Sequence, residues 1–206
     1  IDWKTTDANA IRLDKTSLAD YLTSIGATGW AGTLIGNCYE SEYGLSPGDQ
    51  SALNLLLLIS PDVHGGHISW FGESDERYKT RGGNQAFPDA LAKQYAAHIR
   101  LEHALATIAP NDTGGYRLGF AGQAETVDAD FVVMAIPFTK LRQLDLTALA
   151  LPAQKLKCIA ELGYGTNAKL MIGQSKHHWR GKGYRGLVYA DNGVPNGWDN
   201  AQLQTP

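Results

Sequence analysis

The spacing of the apolar residues changes along this chain, and that change limits the folds open to it. Up to residue 60 they recur every three or four positions, which is the spacing of helices with one buried face. From residue 99 onward apolar and polar residues alternate over short stretches, which is typical of strands. This order predicts an α/β fold of the mixed α+β kind, with N-terminal helices followed by a mixed sheet with flanking helices.

Capping residues place the helices. Either Thr16 or Ser17 can cap a helix that ends at Gly26, and a second helix is predicted at 30–43. A third is expected to begin at Ser46, which proline follows directly, and to be buried along 52–59. Further helices are expected at 88–96, 139–143 and 153–162.

The expected strands are short. The segment 131–136 is apolar throughout and ends at Pro137, as in a strand buried on both faces. A hairpin turn is expected at 111–115, which is rich in turn-forming residues. The remaining strands are expected at 67–71, 99–101, 105–108, 116–120, near residue 125, and at 168–173.

Composition excludes several classes of protein. The chain has 206 residues, enough for one large domain or two small ones, and 43% of them are hydrophobic, enough for a buried core. The net charge of −3 gives no field that would collect nucleic acid or an anionic membrane. No apolar run, including 55–59, approaches the roughly 18 residues that a membrane span needs.

The first residue is isoleucine rather than methionine, so we expect an interior piece of a longer protein. For the same reason the lack of a secretory signal leaves the localisation open. A cytoplasmic location is favoured, and export is the alternative.

Metal and nucleophile motifs are missing. Cys38 and Cys158 stand far apart and are expected to be buried, reduced thiols. The histidine pairs 64/67 and 177/178 have no third ligand at a useful spacing, so no metal site is predicted. The phosphate-loop, nucleophile-elbow and H-E-x-x-H motifs are absent, and so is the dinucleotide fingerprint G-x-G-x-x-G.

Four segments remain as candidates for chemistry. In 81–88 the pair Gly82-Gly83 leads into a helix, and glycine lets backbone approach a flat ring or a phosphate. The segments 99–108 and 129–138 are strand-like, and 162–172 carries one lysine, Lys169, among apolar residues. Such a lysine either projects into solvent or has a function, and chemistry alone does not decide between the two.

In this order, the four segments resemble the flavin-containing amine oxidases, the family of monoamine, polyamine and L-amino acid oxidases. The family pattern runs from a GGN-type turn through strands of the form I-x-L-x-x-x-V-x-x-I and A-D-x-V-V-x-A-I-P. It continues with L-P-x-x-K, here 151–155, then a G-x-x-x-K strand and an aromatic pair that ends in tryptophan, here Trp179. The resemblance covers 78–180 well and the helical part loosely. Histidines precede Trp179 where an aromatic residue is usual, and Leu105 stands where valine is commoner.

The resemblance implies a two-domain FAD-dependent oxidase plan, in which the chain crosses between an FAD domain and a substrate domain. Residues 1–76 would be the helical part of the substrate domain, 77–136 a segment of the FAD domain, and 137–206 the sheet segment of the substrate domain. The implied cofactor-binding residues are Gly82 and Gly83 near the flavin, Leu105 through its backbone at the adenine, and Pro137.

Lys169 is the implied catalytic residue. The family's lysine holds a water against flavin N5, which serves reoxidation of the flavin by O2 or hydrolysis of the imine. The implied substrate is an amine or amino acid, oxidised to an imine with formation of H2O2. Trp198 and Tyr184 are candidates for the aromatic walls of the substrate site.

The chain alone is expected to be inactive and to hold FAD weakly, because it lacks the pyrophosphate-binding turn. An apolar surface left uncovered on residues 77–136 favours a homodimer. Two alternatives stay open, namely a phytoene-desaturase-like or protoporphyrinogen-oxidase-like flavoenzyme, which Lys169 disfavours, and a binding or interaction module without activity. An upstream G-x-G-x-x-G turn would support an enzyme.

Overall fold

The computed structural model of the chain describes residues 7–60, 71 and 78–201. The chain forms two compact units, one of Ile1–Asp75 with Tyr164–Pro206 and one of Glu76–Gly163. Helices dominate the N-terminal part, and strands with further helices follow. The predicted mixed α+β class is confirmed.

The regular elements follow one another along both units. The α-helices are α1 (Ala8–Asp14), α2 (Leu18–Ser24), α3 (Gly29–Tyr43), α4 (Ala52–Leu58), α5 (Ala86–Gln94), α6 (Phe138–Leu141) and α7 (Ala153–Glu161). The strands are β1 (Leu105–Pro110), β2 (Tyr116–Phe120), β3 (Thr126–Ala129), β4 (Val188–Tyr189) and β5 (Asn196–Gly197). Short 3-10 helices span Ala96–His98, Thr147–Leu149 and Arg180–Lys182.

Local capping sets the helices of the first unit. Of the two predicted caps, Ser17 is the one used: its hydroxyl accepts the N–H of Asp20 at 3.0 Å and so begins α2. Helix α3 ends where Gly44 adopts φ 70° and donates its N–H to the carbonyl of Glu40 at 2.8 Å, also as predicted. The core between these helices and α4 consists of Leu18, Leu22, Cys38, Tyr39 and Leu55.

The third helix begins later than the sequence predicts. Ser46 and Asp49 close a turn through a backbone hydrogen bond of 2.9 Å and a side-chain hydrogen bond of 2.8 Å. Helix α4 begins only at Ala52, where the Ser51 hydroxyl accepts the N–H of Leu53. Serine followed by proline is also typical of type I turns, and here these residues form a turn instead of beginning the helix.

The second unit is built on an antiparallel sheet of order β1-β2-β3. The predicted turn at 111–115 is confirmed, and the side-chain oxygen of Asn111 accepts the backbone N–H groups of Thr113 and Gly115. Beneath the sheet, a core joins it to α6 and α7, with the buried residues Ile108, Leu141, Leu146 and Ile159.

Three predicted strands are wrong. The segment 131–136 belongs to no strand. Val132 and Met134 pack on the core of the second unit, while Phe131 and Val133 are each 90% exposed. Within the described residues no neighbouring strand pairs with this segment, and a strand needs such a partner to satisfy its backbone.

The segment 168–173 is likewise irregular and its apolar side chains are exposed. At 99–101 the chain bends toward Glu102, which has a φ of 59°, so that β1 begins only at Leu105. The strand predicted at 67–71 lies outside the described residues except for Phe71.

Candidate functional site

Lys169 lies in the first unit, in an exposed segment that is tied to the end of α3. The backbone N–H of Thr166 donates to the carbonyl of Gly44 at 2.8 Å. The side-chain amide of Asn167 donates to the carbonyl of Ser41, also at 2.8 Å. Because α3 ends here, these carbonyls are available to partners outside the helix. The segment is therefore held two residues before Lys169.

Trp198 is held by the same helix through the β4–β5 hairpin. The side-chain amide of Asn37, on α3, donates to the carbonyl of Ala190 at 2.8 Å. Next to it, the ring of Tyr189 packs against the core of the first unit and its hydroxyl is hydrogen-bonded to Cys38. Trp198 directly follows β5, so its backbone position is set by this hairpin.

The two segments bring Lys169 and Trp198 together. The ammonium nitrogen Nζ of Lys169 lies 5.2 Å from the centroid of the Trp198 ring. This distance is that of a cation–π contact, in which the ammonium is attracted by the negative face of the indole. Two residues that the sequence singled out separately, one for catalysis and one for substrate binding, therefore form one pair.

A buried carboxylate lies next to this pair. The side chain of Asp199 is only 3% exposed, and its Oδ2 accepts hydrogen bonds from Trp179 Nε1 at 3.1 Å and from Arg180 Nε and Nη2 at 3.0 and 2.7 Å. Its Oδ1 accepts the backbone N–H of Ala201 at 2.9 Å. These bonds fill the acceptor positions of the carboxylate, as a buried charge requires.

Electrostatics keep this carboxylate ionised. Burial alone raises the pKa of the Asp199 carboxyl, but the hydrogen bonds from Arg180, the Ala201 N–H and Trp179 outweigh it and lower the pKa below 3.8. The positive charge of Arg180 is thus matched by the negative charge of Asp199 at neutral pH. Sequence reasoning missed this cluster, because a lone aspartate 19 residues after an arginine follows no motif.

Gly186 belongs to the same cluster. Its φ is 80°, and a Cβ there would lie 2.7 Å from Trp179 Nε1 and 2.8 Å from the Cβ of Asp199. Only glycine allows the chain to pass this close at that backbone conformation. Tyr184 lies two residues earlier, where its N–H donates to the carbonyl of Trp179 at 3.2 Å and its side chain is exposed.

The predicted cofactor-binding residues all lie in the second unit. Gly82 and Gly83 form the turn before α5 with φ angles of 84° and 90°, and no atom lies within 4 Å of where a Cβ would stand. Leu105 begins β1, an edge strand of the sheet. Pro137 precedes α6, and its carbonyl accepts the N–H of Lys140 at 2.8 Å.

Two of these positions expose backbone groups to which a ligand could bind. The glycine turn is open on its outer side, so that its backbone is accessible to a ring or a phosphate. Edge strands carry backbone N–H and C=O groups that are not used within the sheet and can bind a ligand. Their assignment to FAD stays a prediction.

Metal and membrane sites are not found in the described part of the chain. No group of three or more histidine, cysteine or acidic side chains there could hold a metal ion. Among the described helices, none is both long enough and apolar enough to cross a bilayer.

Comparison with known proteins decides the family. A sequence model of the flavin containing amine oxidoreductases matches residues 5–204, which is nearly the whole chain. The chain belongs to this family. The two departures from the family pattern, at Leu105 and at the histidines before Trp179, therefore do not remove it from the amine oxidoreductases.

Individual amine oxidoreductases are similar to this chain. The AofH protein of Mycobacterium tuberculosis, whose name places it among the flavin-containing monoamine oxidases, is 26% identical over 186 residues, both in strain CDC 1551 / Oshkosh and in strain ATCC 25618 / H37Rv. The match covers 90% of this chain and 40% of AofH. The chain thus spans less than half the length of the curated relatives it matches.

A solved amine oxidoreductase shares the fold. Cyclohexylamine oxidase from Brevibacterium oxydans IH-35A superposes with a TM-score of 0.53 at 18% identity. The superposition covers 75% of this chain and 34% of the oxidase. The helices followed by small sheets are therefore an arrangement that an amine oxidase of known structure also contains.

Proposed function

We propose that this chain is part of an FAD-dependent oxidase that converts an amine or an amino acid into an imine. The carbon next to nitrogen gives up a hydride and the nitrogen a proton, and the two electrons pass to O2, which becomes H2O2. FAD supplies the hydride acceptor and the site of reaction with O2. Water then hydrolyses the imine to a carbonyl compound and ammonia or an amine.

The observation that carries this proposal is the Lys169 ammonium, held at 5.2 Å over Trp198 in a chain whose family match extends over residues 5–204. The ammonium offers N–H donors that can hold a water molecule. Its positive charge also favours the negative charge that develops when O2 accepts an electron. A phytoene-desaturase-like or protoporphyrinogen-oxidase-like flavoenzyme gives no reason for a lysine at this position.

The roles proposed for individual residues follow the family resemblance. Gly82, Gly83, Leu105 and Pro137 are proposed to contact FAD, and Lys169 is proposed as the catalytic residue. Tyr184 is proposed for the wall of the amine site because its aromatic side chain is exposed. The chain alone is proposed to hold FAD weakly, since phosphate contacts at a helix N-terminus supply much of the affinity for dinucleotides.

The test is Lys169→Met in an FAD-loaded enzyme that contains this chain. Methionine keeps the apolar stem and removes the charge and the donors. We expect reoxidation of the flavin by O2 to slow by about 10²–10³-fold, the usual effect of losing one well-placed electrostatic contact, with a much smaller change in flavin reduction by amine. Stopped-flow absorbance of the two half-reactions measures both rates.

The matched control is Lys176→Met, which removes the charge of another exposed lysine in the same unit. It should leave both half-reactions unchanged. If Lys169→Met behaves like Lys176→Met, the lysine has no part in the reaction and the proposal loses its main support.

A further inference from the structure

We propose that Trp198 is a positioning residue for Lys169, and that the buried carboxylate of Asp199 holds Trp198 in place. The inference rests on the proposed function, because it assigns these residues to the reoxidation half-reaction. It replaces the role of substrate wall that the sequence suggests for Trp198.

The first step is the contact itself. Lys169 stands in an irregular segment whose following apolar side chains, Leu170 and Met171, are exposed. A lysine side chain in such surroundings samples many rotamers. The face of Trp198, whose centroid lies 5.2 Å from Nζ, restricts where the ammonium lies.

The second step is the chemistry of the contact. A carboxylate partner would neutralise the ammonium and occupy its donors. An aromatic face attracts the same charge without accepting strong hydrogen bonds, so that the N–H groups of Lys169 stay available for water. An aromatic support is therefore suited to a lysine that must act on a third group.

The third step is what fixes Trp198. Its side chain is 46% exposed, so packing alone restrains it weakly. The neighbouring residue Asp199 is fully engaged by Trp179, Arg180 and Ala201. Because the backbone of Trp198 continues directly into this cluster, the cluster sets the direction from which the indole reaches Lys169.

The opposite end of the same stretch is also fixed. The β4–β5 ladder precedes Trp198, and Asn37 binds it to α3 through Ala190. Trp198 therefore stands between two anchors, a hydrogen-bonded hairpin on one side and the ion pair of Asp199 with Arg180 on the other. Nothing in this arrangement requires a bound substrate.

The structural test is an NMR measurement on the 206-residue chain. In the native chain the Hε protons of Lys169 should be shifted upfield by the ring current of Trp198 and should show cross-relaxation with its ring protons. Asp199→Asn keeps the tryptophan but weakens the charge-assisted bonds from Arg180. The upfield shift and the cross-relaxation should both be lost or strongly reduced.

A second pair of variants tests the same step without altering a charge. Gly186→Ala places a Cβ against both Trp179 and Asp199, whereas Gly183→Ala has the same kind of positive φ, 81°, with nothing within 4 Å. We expect Gly186→Ala to remove the ring-current shift of Lys169 and Gly183→Ala to preserve it. Equal spectra for the two variants, or a native shift in Asp199→Asn, would overturn the role of Asp199.

The functional test uses the FAD-loaded enzyme. Trp198→Leu should slow flavin reoxidation by about two- to five-fold, the weight of an exposed cation–π contact, with the KM for amine unchanged. Trp198→Phe keeps an aromatic face and should restore most of the rate. A raised KM with normal reoxidation would instead make Trp198 a wall of the substrate site and overturn the proposal.

The two proposals fail in different ways. If Lys169→Met leaves reoxidation unchanged, the proposed function fails, whatever the NMR spectra show. If Lys169→Met slows reoxidation but the native chain lacks the ring-current shift, only the positioning role of Trp198 fails. Trp198→Phe keeps the test decisive where Trp198→Leu does not fold.

Discussion

Individual side chains of one type have different surroundings in this protein, as its two cysteines illustrate. Cys38 lies fully buried in the core of the first unit, beside Tyr189, whereas Cys158 is exposed on α7. The expectation that both are buried is wrong for Cys158. Helix α7 turns Ile159 toward the core, so the side chain one position earlier points away from it.

This difference predicts the reactivity of the two thiols. Burial raises the pKa of the Cys38 thiol, an effect that its hydrogen bond with Tyr189 only reduces, so little thiolate forms and reagents have no access. With a chromogenic disulfide reagent at neutral pH, we expect one thiol to react quickly and the second only after denaturation. Cys158→Ser should abolish the fast phase, and a fast phase of two thiols would contradict the burial of Cys38.

The sequence names candidate residues more readily than it names their contacts. Residue type and motif order single out Lys169 and Trp198, and their roles stay predictions, but the strand expected to carry Lys169 does not form. Their proximity depends on hydrogen bonds from Asn37 and Asn167 to distant backbone carbonyls, across 153 and 126 positions of the chain. A single sequence does not reveal pairs at such separations.

Elements differ in how far local signals determine them. The ends of α2 and α3 follow from a serine cap and a left-handed glycine, both within a few residues of the helix. The segment 131–136 has the composition of a strand, yet strands are completed by partners elsewhere in the chain. Here only one of its faces is covered by the core of the second unit.

The C-terminal end of helix α7 is hydrogen-bonded to a residue outside the helix. Its last carbonyls accept hydrogen bonds from the guanidinium of Arg142, which reaches the carbonyls of Ile159 and Leu162. Arg142→Met keeps the stem and leaves these carbonyls without their charged donor. We expect a loss of about 1–3 kcal/mol in the free energy of unfolding, measured by urea denaturation.

Lys157→Met serves as the comparison for Arg142→Met. It removes the exposed pair that Lys157 forms with Glu161 on the same helix. Exposed pairs of this spacing contribute only about 0.3–0.5 kcal/mol. If the two variants lose the same stability, Arg142 does not support the end of α7.

At the scale of the whole molecule, the main feature is an exposed apolar surface on the second unit. None of the residues of α5 is buried, and exposed apolar side chains recur every four residues at Phe87 and Leu91 on the helix and at Tyr95 directly after it. Large exposed apolar patches are uncommon on monomeric proteins. We therefore expect concentration-dependent association, measured by multi-angle light scattering.

The change that tests this expectation is the double variant Phe87→Ser and Leu91→Ser, which should shift the chain toward monomer. Trp30→Ser removes an even more exposed aromatic residue from the first unit and is the control. A chain that stays monomeric at every concentration, or a double variant that associates as before, would count against the homodimer.

At the scale of the whole molecule, the order of the motifs predicts the family better than any single motif does. The GGN-type turn, the strand-like segments and the lysine are each unspecific, but their succession led to the family that the comparisons establish. The assignment of 1–76, 77–136 and 137–206 to cofactor and substrate domains stays a prediction. Packing divides the chain differently, since the second unit continues through α7 to Gly163.

Helix α3 gives the lysine site a particular consequence for protein engineering. The pair of Lys169 and Trp198 is formed by two segments, 165–169 and 188–199, that are separated in sequence. Each segment is hydrogen-bonded to α3 or to the residue that ends it. Grafting segment 165–169 alone into another scaffold would transfer the Lys169 ammonium without its contact with Trp198. A successful transplant has to carry three pieces of chain, with Asn37 and Ser41 at the spacing that one turn of helix between them provides.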